Sequence, residues 1–139
     1  MSHAECIFCR IIRGELPCNK VAETKDFLAF LDIKPVSKGH TLIIPKHHCE
    51  NILDFPKAEE TDFIEFTKKI AKAVKEAVNA DGFNLGMNNG KAAGQVVFHA
   101  HIHIIPRFDN DGLGSWPNHD TTKEELDDSQ KKILAKLRV

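Results

Sequence analysis

The segment of residues 98–105 alternates histidine with small or apolar residues, and this alternation constrains the fold more than any other feature of the chain. Successive side chains of a β-strand point to opposite faces of its sheet. We therefore predict that His99, His101 and His103 share one face of a strand, at a spacing of roughly 6–7 Å. The opposite face would carry only apolar side chains, and it can pack against a helix.

Shorter patterns place this segment within an α+β fold. Residues 56–79 carry apolar side chains at spacings of three and four, which predict a long amphipathic helix. Apolar runs bounded by turn residues predict strands over residues 21–23, 27–31, 40–45, 83–88 and 96–105. A loop over residues 89–94 would join the last two strands as a hairpin. With a short helix over residues 6–15, this order predicts an antiparallel sheet of about five strands with its helices on one face.

The bulk properties restrict the possible partners. The chain has 139 residues and a formal net charge of -1, so it has no basic excess to bind a nucleic-acid backbone. No apolar run approaches the ~20 residues of a bilayer span, and the N-terminus lacks the layout of a signal peptide. We therefore expect a cytoplasmic protein with neither a nucleic-acid nor a membrane partner. Thiols stay reduced there, so the four cysteines favour a metal site or chemistry over disulfides.

Three imidazoles on one strand face suit phosphoryl chemistry. Imidazole is a nucleophile and a general acid or base near neutral pH, so a row of rings can attack phosphorus, bind its oxygens and protonate a leaving group. Two other interpretations are a solvated strand face and an expression-tag fragment, although tags lie at termini. A third is a zinc hydrolase in which two or three of these histidines bind a catalytic metal.

The N-terminal segment offers a second set of ligand-type residues. Cys6 and Cys9 have the two-residue gap that zinc sites use, but a closed tetrahedral site needs two further ligands. A redox pair is an alternative, although such pairs normally follow a strand of a βαβ unit, and this pair precedes every predicted strand. Two ordinary core cysteines are the other alternative.

Residues 99–105, His-Ala-His-Ile-His-Ile-Ile, resemble the His-φ-His-φ-His-φ-φ signature of the histidine triad (HIT) superfamily, in which φ is apolar. Residues 29–35 and 39–46 resemble the Hint branch of this superfamily, in its microbial zinc-containing type. Several motifs occur in the family's order, so the resemblance is specific. It implies a HIT domain over residues 1–117 and a C-terminal extension over residues 118–139, in which Thr122 and Glu125 predict a capped helix.

The resemblance implies an enzyme that cleaves a nucleoside 5′-phosphoramidate, or a related purine nucleotide, at the α-phosphate. His101 would be the nucleophile and form a nucleotidyl-histidine intermediate, and His103 would contact the α-phosphate or the leaving group. The family also forms homodimers in which the sheets continue across the interface. A dinucleoside polyphosphate hydrolase and a non-catalytic, nucleotide-binding regulatory protein are the alternatives.

Further site residues follow from the same resemblance. Asp32 would bind the ribose hydroxyls, Asn88 and Gln95 would hold phosphate oxygens, and His40 would lie near the phosphate. The expected base pocket consists of Phe8, Ile11, Phe30, Ile33 and Leu42. In isolation, plain core packing explains each of these five better than a pocket does, and Asp32 fits a turn. Val96 departs from the family, which often has Ser or Thr at this position.

The resemblance also completes the metal site. The microbial Hint-type proteins bind zinc through residues that correspond to Cys6, Cys9, His48 and His99. Four protein ligands leave no open coordination position, so the zinc would be structural, and His99 would not be the nucleophile. Such a metal would tie the N-terminal helix to the sheet.

Overall fold

A five-stranded antiparallel sheet organises the chain in this computed structural model, which describes residues 3–137. The strand order is β1-β2-β3-β5-β4, and every neighbouring pair is antiparallel. The strands are β1 (Lys20–Glu23), β2 (Phe27–Leu31), β3 (Thr41–Pro45), β4 (Gly82–Gly86) and β5 (Ile102–Arg107). The helices are α1 (Ile7–Ile12), α2 (Glu60–Ala77) and α3 (Lys123–Leu137), with 3-10 turns at Ile52–Asp54, Lys57–Glu59 and Lys91–Ala93. The predicted α+β fold with about five strands is therefore confirmed.

The long helix α2 covers one face of the sheet. Its apolar stripe buries side chains at spacings of three and four against the inward-facing residues of β2, β3 and β5. From β5, Ile102 and Ile104 point into this layer, as the alternation predicts, and Ala100 joins them just before the strand. This layer is the main hydrophobic core.

The opposite face of the sheet is covered by α1, which corrects the expectation that all helices lie on one face. Phe8 and Cys9 of α1 are buried against Phe30 and Leu42, which alternate along β2 and β3 with the side chains that face α2. Phe8 and Phe30 meet edge to face, with ring centroids 5.5 Å apart. The triad histidines lie on this face of the sheet, beside α1.

The strand that carries the histidines is shorter than predicted. Its ladder begins at Ile102, so residues 96–101 are not a strand, and only His103 of the triad lies within β5. The preceding segment instead turns through Gly90 and Gly94, both at positive φ, and Ala100 donates its N–H to the carbonyl of Cys49. The connection from β4 to β5 is therefore a long loop rather than a tight hairpin.

The C-terminal helix α3 stands apart from the sheet, and all of its described residues are exposed. The hydroxyl of Thr122 accepts the N–H of Glu125 at 3.2 Å, which begins the helix as the capping pattern predicts. Residues 138–139, at the end of the predicted extension, lie outside the described residues, and the domain boundary at residue 117 stays a prediction. Among residues 3–137, no helix has the length and apolarity to cross a membrane.

Replacement of Phe63, which is 2% exposed in the α2 core layer, tests the importance of that layer. Phe63→Ala removes a buried ring and leaves a cavity, so we expect the free energy of unfolding to fall by roughly 3–5 kcal/mol in urea denaturation. Leu53→Ala, at a side chain that is 90% exposed, should change it by less than about 0.5 kcal/mol. Equal losses in the two variants would contradict this description of the core.

Candidate active site

The ring of His99 is fully buried between the sheet and α1. Its Nε2 lies 2.8 Å from the carbonyl oxygen of Pro45, which can only accept, so Nε2 carries the proton. The other nitrogen, Nδ1, therefore presents a lone pair to the thiols of Cys6 and Cys9, at 3.4 and 3.6 Å. This tautomer is the one that a metal ligand requires.

The four predicted metal ligands converge in space. The Sγ atoms of Cys6 and Cys9 and one ring nitrogen each of His48 and His99 all lie within 4.8 Å of one another. His48 Nδ1 is 3.2 Å from Cys9 Sγ. Two thiols and two imidazoles form a donor set typical of tetrahedral zinc. Burial and the neighbouring thiol of Cys6 raise the pKa of Cys9 to about 11, so a bound cation would be needed to hold Cys9 as a thiolate.

His101 is held in the opposite tautomer. Its Nδ1 lies 2.7 Å from the carbonyl oxygen of His99, so Nδ1 donates and Nε2 is left with a free lone pair. The ring of Phe8 packs edge-on against it at a centroid distance of 5.1 Å. The backbone of a candidate metal ligand therefore orients the candidate nucleophile.

A chain of hydrogen bonds fixes the third histidine of the triad. The N–H of Val36 donates to Nδ1 of His40 at 3.0 Å, which leaves the proton of neutral His40 on Nε2. That nitrogen lies 2.9 Å from Nδ1 of His103 and donates to it. The proton of His103 is then on Nε2, where it can be donated to a ligand.

Burial keeps these rings neutral at physiological pH. It lowers the pKa of His101, and the hydrogen bond to the backbone of His99 opposes this only in part. Burial, together with the neighbouring His101 and His40, lowers the pKa of His103 to about 4. A neutral imidazole with an exposed lone pair is the nucleophilic form, and a neutral imidazole with an N–H is a hydrogen-bond donor.

A cavity of about 750 Å³ opens beside His101 and His103. Most of its walls are apolar, as is usual for a small-molecule site. Seven of the nine predicted substrate-binding residues line it: Phe8, Ile11, Phe30, Asp32, Ile33, Leu42 and Asn88. The cavity is also lined by Leu16, Pro17, Cys18 and Val97, which the sequence analysis did not predict. Nothing in the spacing of these four residues distinguishes them from linker and core residues.

Two predicted substrate-binding residues lie elsewhere. His40 lines a neighbouring cavity and reaches the site through its hydrogen bond to His103. Gln95 is 3% exposed and lines neither of these two cavities. Its amide nitrogen donates to the carbonyls of Glu50 and Val97, and its oxygen accepts from Gly90. Gln95 therefore holds this loop together, and its role toward phosphate oxygens stays a prediction.

Asp32 lies at the mouth of the larger cavity, directly after β2. One carboxylate oxygen accepts the N–H of Lys34 at 2.8 Å, which forms the turn that the sequence allows. The other oxygen is 3.6 Å from Nε2 of His40. One oxygen of the carboxylate thus forms the turn, and the other lies near His40.

The amino-acid sequence matches known proteins over most of its length. A sequence profile described as the HIT domain matches residues 13–110. The chain is 44% identical to adenosine 5′-monophosphoramidase HNT1 of Saccharomyces cerevisiae, over 96% of this chain and 84% of the yeast protein.

Two solved structures share the whole fold. A protein from Streptococcus mutans superposes with a TM-score of 0.90 at 40% identity, covering 99% of this chain and 88% of that one. A zinc-bound histidine triad family protein from Mycobacterium smegmatis superposes with a TM-score of 0.76 at 38% identity, covering 98% of this chain and 97% of that one. The arrangement of helices around the five-stranded sheet is therefore an established one.

The buried imidazole of His103 predicts acid sensitivity. Its pKa falls from the ordinary value of about 6.5 to about 4 on folding, so the unfolded chain binds more protons between these values. The free energy of unfolding should therefore decrease as pH falls from 7 to 5. Urea denaturation of His103→Asn should show a smaller decrease than the wild type, whereas His119→Asn, at an exposed histidine, should match the wild type. An undiminished decrease in His103→Asn would contradict this assignment.

Proposed function

This chain belongs to the HIT domain family, as its histidine motif predicted, and we propose that it hydrolyses nucleoside 5′-phosphoramidates, or related nucleotides, through a nucleotidyl-histidine intermediate. One observation carries the proposal. The hydrogen bond from His101 Nδ1 to the carbonyl of His99 leaves Nε2 as a neutral nucleophile beside a cavity of nucleotide size. The named activity of the yeast relative supports the same reaction.

The first step joins His101 to the substrate. Its Nε2 forms a bond to the α-phosphorus, the P–N bond breaks, and the electron pair of that bond stays on the departing nitrogen. The amine leaves with one additional proton. The negative charge of a bound phosphate favours the protonated form of a nearby imidazole, so His103 is the group placed to deliver that proton.

The second step restores the enzyme. A water molecule attacks phosphorus, the bond to His101 breaks, and the released nucleoside monophosphate keeps the hydroxyl group of the water. The other proton of the water passes to Nε2 of His103, the nitrogen that gave up its proton in the first step and that the hydrogen bond with His40 orients toward the cavity. The overall reaction consumes one water and yields an amine and a nucleoside monophosphate.

The larger cavity accounts for nucleoside binding in this proposal. Phe8, Phe30 and Leu42 offer an apolar slot for a purine base. Asp32, at the mouth of the cavity, can accept hydrogen bonds from both ribose hydroxyls, and Asn88 lies where it can reach phosphate oxygens. These roles agree with the residue types and their order around the cavity.

We also propose that Cys6, Cys9, His48 and His99 bind a structural zinc ion. The donor set fits, because two thiols and two correctly oriented imidazole nitrogens converge within 4.8 Å. A zinc ion would link α1 to the loop after β3 and to the segment before β5. Four protein donors would fill the four coordination positions of a zinc ion, which favours this structural role over a metal-dependent hydrolase, since a catalytic zinc needs an open position.

A homodimer joined along β4 is a further part of this proposal. This strand is an edge strand, so its unpaired backbone N–H and C=O groups can bond to a strand of a second copy. Its side chains Phe83 and Leu85 are 37% and 50% exposed. We retain a cytoplasmic location, to which the four free cysteines are suited.

The zinc site is tested by metal analysis of the purified protein. We expect about one zinc per wild-type chain. Cys9→Ala should lose the metal and lower the Tm by roughly 10 °C, because the bound metal stabilises the folded state. Cys18→Ala, outside the cluster, should retain both the metal and the Tm. Metal-free wild-type protein with an unchanged Tm in Cys9→Ala would contradict the assignment.

The catalytic assignment is tested with adenosine 5′-phosphoramidate. The wild type should release AMP, and His101→Ala should reduce kcat/KM by roughly a thousandfold or more, because no other group replaces the lost nucleophile. His119→Ala is the matched control and should retain wild-type turnover. Circular dichroism would verify that both variants fold. Turnover that survives in His101→Ala would place the chemistry on another group.

A further inference from the structure

The hydrogen bond between His40 and His103 can place its proton on either ring. Each neutral imidazole has one N–H and one lone pair, so either ring can donate in the 2.9 Å bond between His40 Nε2 and His103 Nδ1. If His40 donates, the proton of His103 lies on Nε2, where it can reach a ligand. If His103 donates, its Nε2 presents a lone pair and cannot donate to a phosphate oxygen or a leaving group. The direction of this bond therefore decides what His103 can do in the reaction.

The backbone N–H of Val36 selects the direction in which His40 donates. It lies 3.0 Å from Nδ1 of His40, and a backbone N–H can only donate. A proton on that Nδ1 would point at this N–H, so the reversed arrangement requires Val36 to move away. The carboxylate of Asp32, 3.6 Å from Nε2 of His40, also favours a proton on Nε2. The position of one peptide group thus determines the tautomer of two rings.

Val36 lies in the loop between β2 and β3, residues 32–40, which is closed by bonds among its own residues. The N–H of Asp32 donates to the carbonyl of His40 at 3.0 Å, and the carboxylate of Asp32 accepts the N–H of Lys34 at 2.8 Å. The carbonyl of Ser37 accepts the N–H of His40 at 3.1 Å. These bonds form turns within the loop, but they do not link it to another strand.

The hydroxyl of Ser37 links this loop to β5, the strand that carries the third triad histidine. It donates to the carbonyl of Pro106 at 2.6 Å. The next carbonyl, that of Arg107, bonds to Asp81 on the β4 side, so the Pro106 carbonyl points to the other side of β5, beyond the first residue of β3. The half-buried hydroxyl therefore satisfies a carbonyl that the β3 ladder does not reach.

Close packing at Gly39 brings the loop within reach of this carbonyl. Gly39 has a φ of +89°, and a Cβ there would lie 2.9 Å from Val78, the residue after α2, and 3.4 Å from the ring of Pro106. Glycine therefore permits the close approach of the loop to both elements. Because Ser37 directly follows Val36 in the chain, its bond to Pro106 limits the movement of Val36 relative to β5.

We propose that Ser37 is a positioning residue for His103: its bond to Pro106 keeps the N–H of Val36 against His40, and so keeps the proton of His103 on the nitrogen that faces the cavity. Ser37 lines neither of the two cavities, so it would act through the rings rather than on the substrate. This inference rests on the proposed function and deepens it, because it names the contact that keeps His103 a hydrogen-bond donor.

Nitrogen NMR of the unliganded protein, with isotope-labelled histidine, tests this role without turnover. The N–H nitrogen and the lone-pair nitrogen of a neutral imidazole have different chemical shifts, so the spectrum reports the tautomer of each ring. His40→Gln and His103→Gln would assign the signals. In the wild type, both rings should carry the proton on Nε2. Ser37→Ala should lower the fraction of His103 in this form by roughly half or more, because Val36 is no longer held against His40.

Three variants control for a general loosening of the loop, and circular dichroism would verify that each folds. Ser37→Thr keeps the hydroxyl and should keep the wild-type tautomer, whereas Ser37→Cys, a weak donor, should lie between Thr and Ala. Thr41→Val removes another hydroxyl bond of this loop, the 2.8 Å bond to the carbonyl of Gly39, and should leave the tautomer of His103 unchanged.

An unchanged tautomer of His103 in Ser37→Ala, or an equal change in Thr41→Val, would overturn the proposal. If Ser37→Ala does not fold, the comparison of Ser37→Cys with Ser37→Thr decides the question. The same tautomer in these two variants would then overturn the proposal.

Turnover separates this proposal from the proposed reaction. Ser37→Ala should reduce kcat for adenosine 5′-phosphoramidate roughly two- to fivefold, in proportion to the lost fraction of the donor form of His103. The Kd of adenosine should change less than about twofold, because the bonds of Asp32 within the loop remain. If no phosphoramidate is cleaved but the tautomer still depends on Ser37, the proposed reaction fails and the positioning role stands. If kcat falls while the tautomer is unchanged, the reaction stands and the positioning role is overturned.

Discussion

The rest of the site depends on the position of His99. Its ring bonds to the carbonyl of Pro45 at the end of β3 and faces the thiols of α1, and its own carbonyl accepts the proton of His101. One buried residue thus connects an N-terminal helix, a central strand and the proposed nucleophile. A shift of His99 would change the direction of the His101 ring, and with it the atom that faces phosphorus. Through this connection, a metal ion held by the proposed cluster would fix the direction of the His101 ring.

Hydrogen bonds give the histidines different roles although their chemistry is the same. Burial disfavours the charged form of every ring in the row, so each is neutral and its tautomer is set by one fixed partner. A backbone carbonyl leaves Nε2 of His101 with a lone pair, and the hydrogen bonds from Val36 to His40 and from His40 to His103 leave the last ring as a hydrogen-bond donor. The distinction between the candidate nucleophile and the candidate phosphate ligand therefore comes from hydrogen bonds, two of them to the backbone.

The sequence predicted the parts of the fold that depend on periodicity. The apolar alternation of residues 98–105 correctly placed Ile102 and Ile104 against the long helix. It did not reveal that the ladder begins only at Ile102. The segment before Ile102 is held by hydrogen bonds from Gln95 to Val97 and Glu50, and from Ala100 to Cys49. Tertiary hydrogen bonds of this kind leave no periodic signal.

The same limit applies to the site. The Cys-x-x-Cys pair and the histidine motif pointed to residues that do converge. The loop-holding bond from Gln95 to Glu50, by contrast, spans 45 residues and could not be read from the neighbours of Gln95.

The central claim is that Nε2 of His101 becomes covalently bonded to the nucleotide. The direct measurement is to mix the protein with excess adenosine 5′-phosphoramidate, quench within milliseconds in alkaline denaturant, digest, and locate the adduct by mass spectrometry. Our account predicts an adenylyl group on His101, on the nitrogen that does not face the carbonyl of His99. An adduct on His103 or on another residue, or AMP release with no adduct at any time, would contradict it.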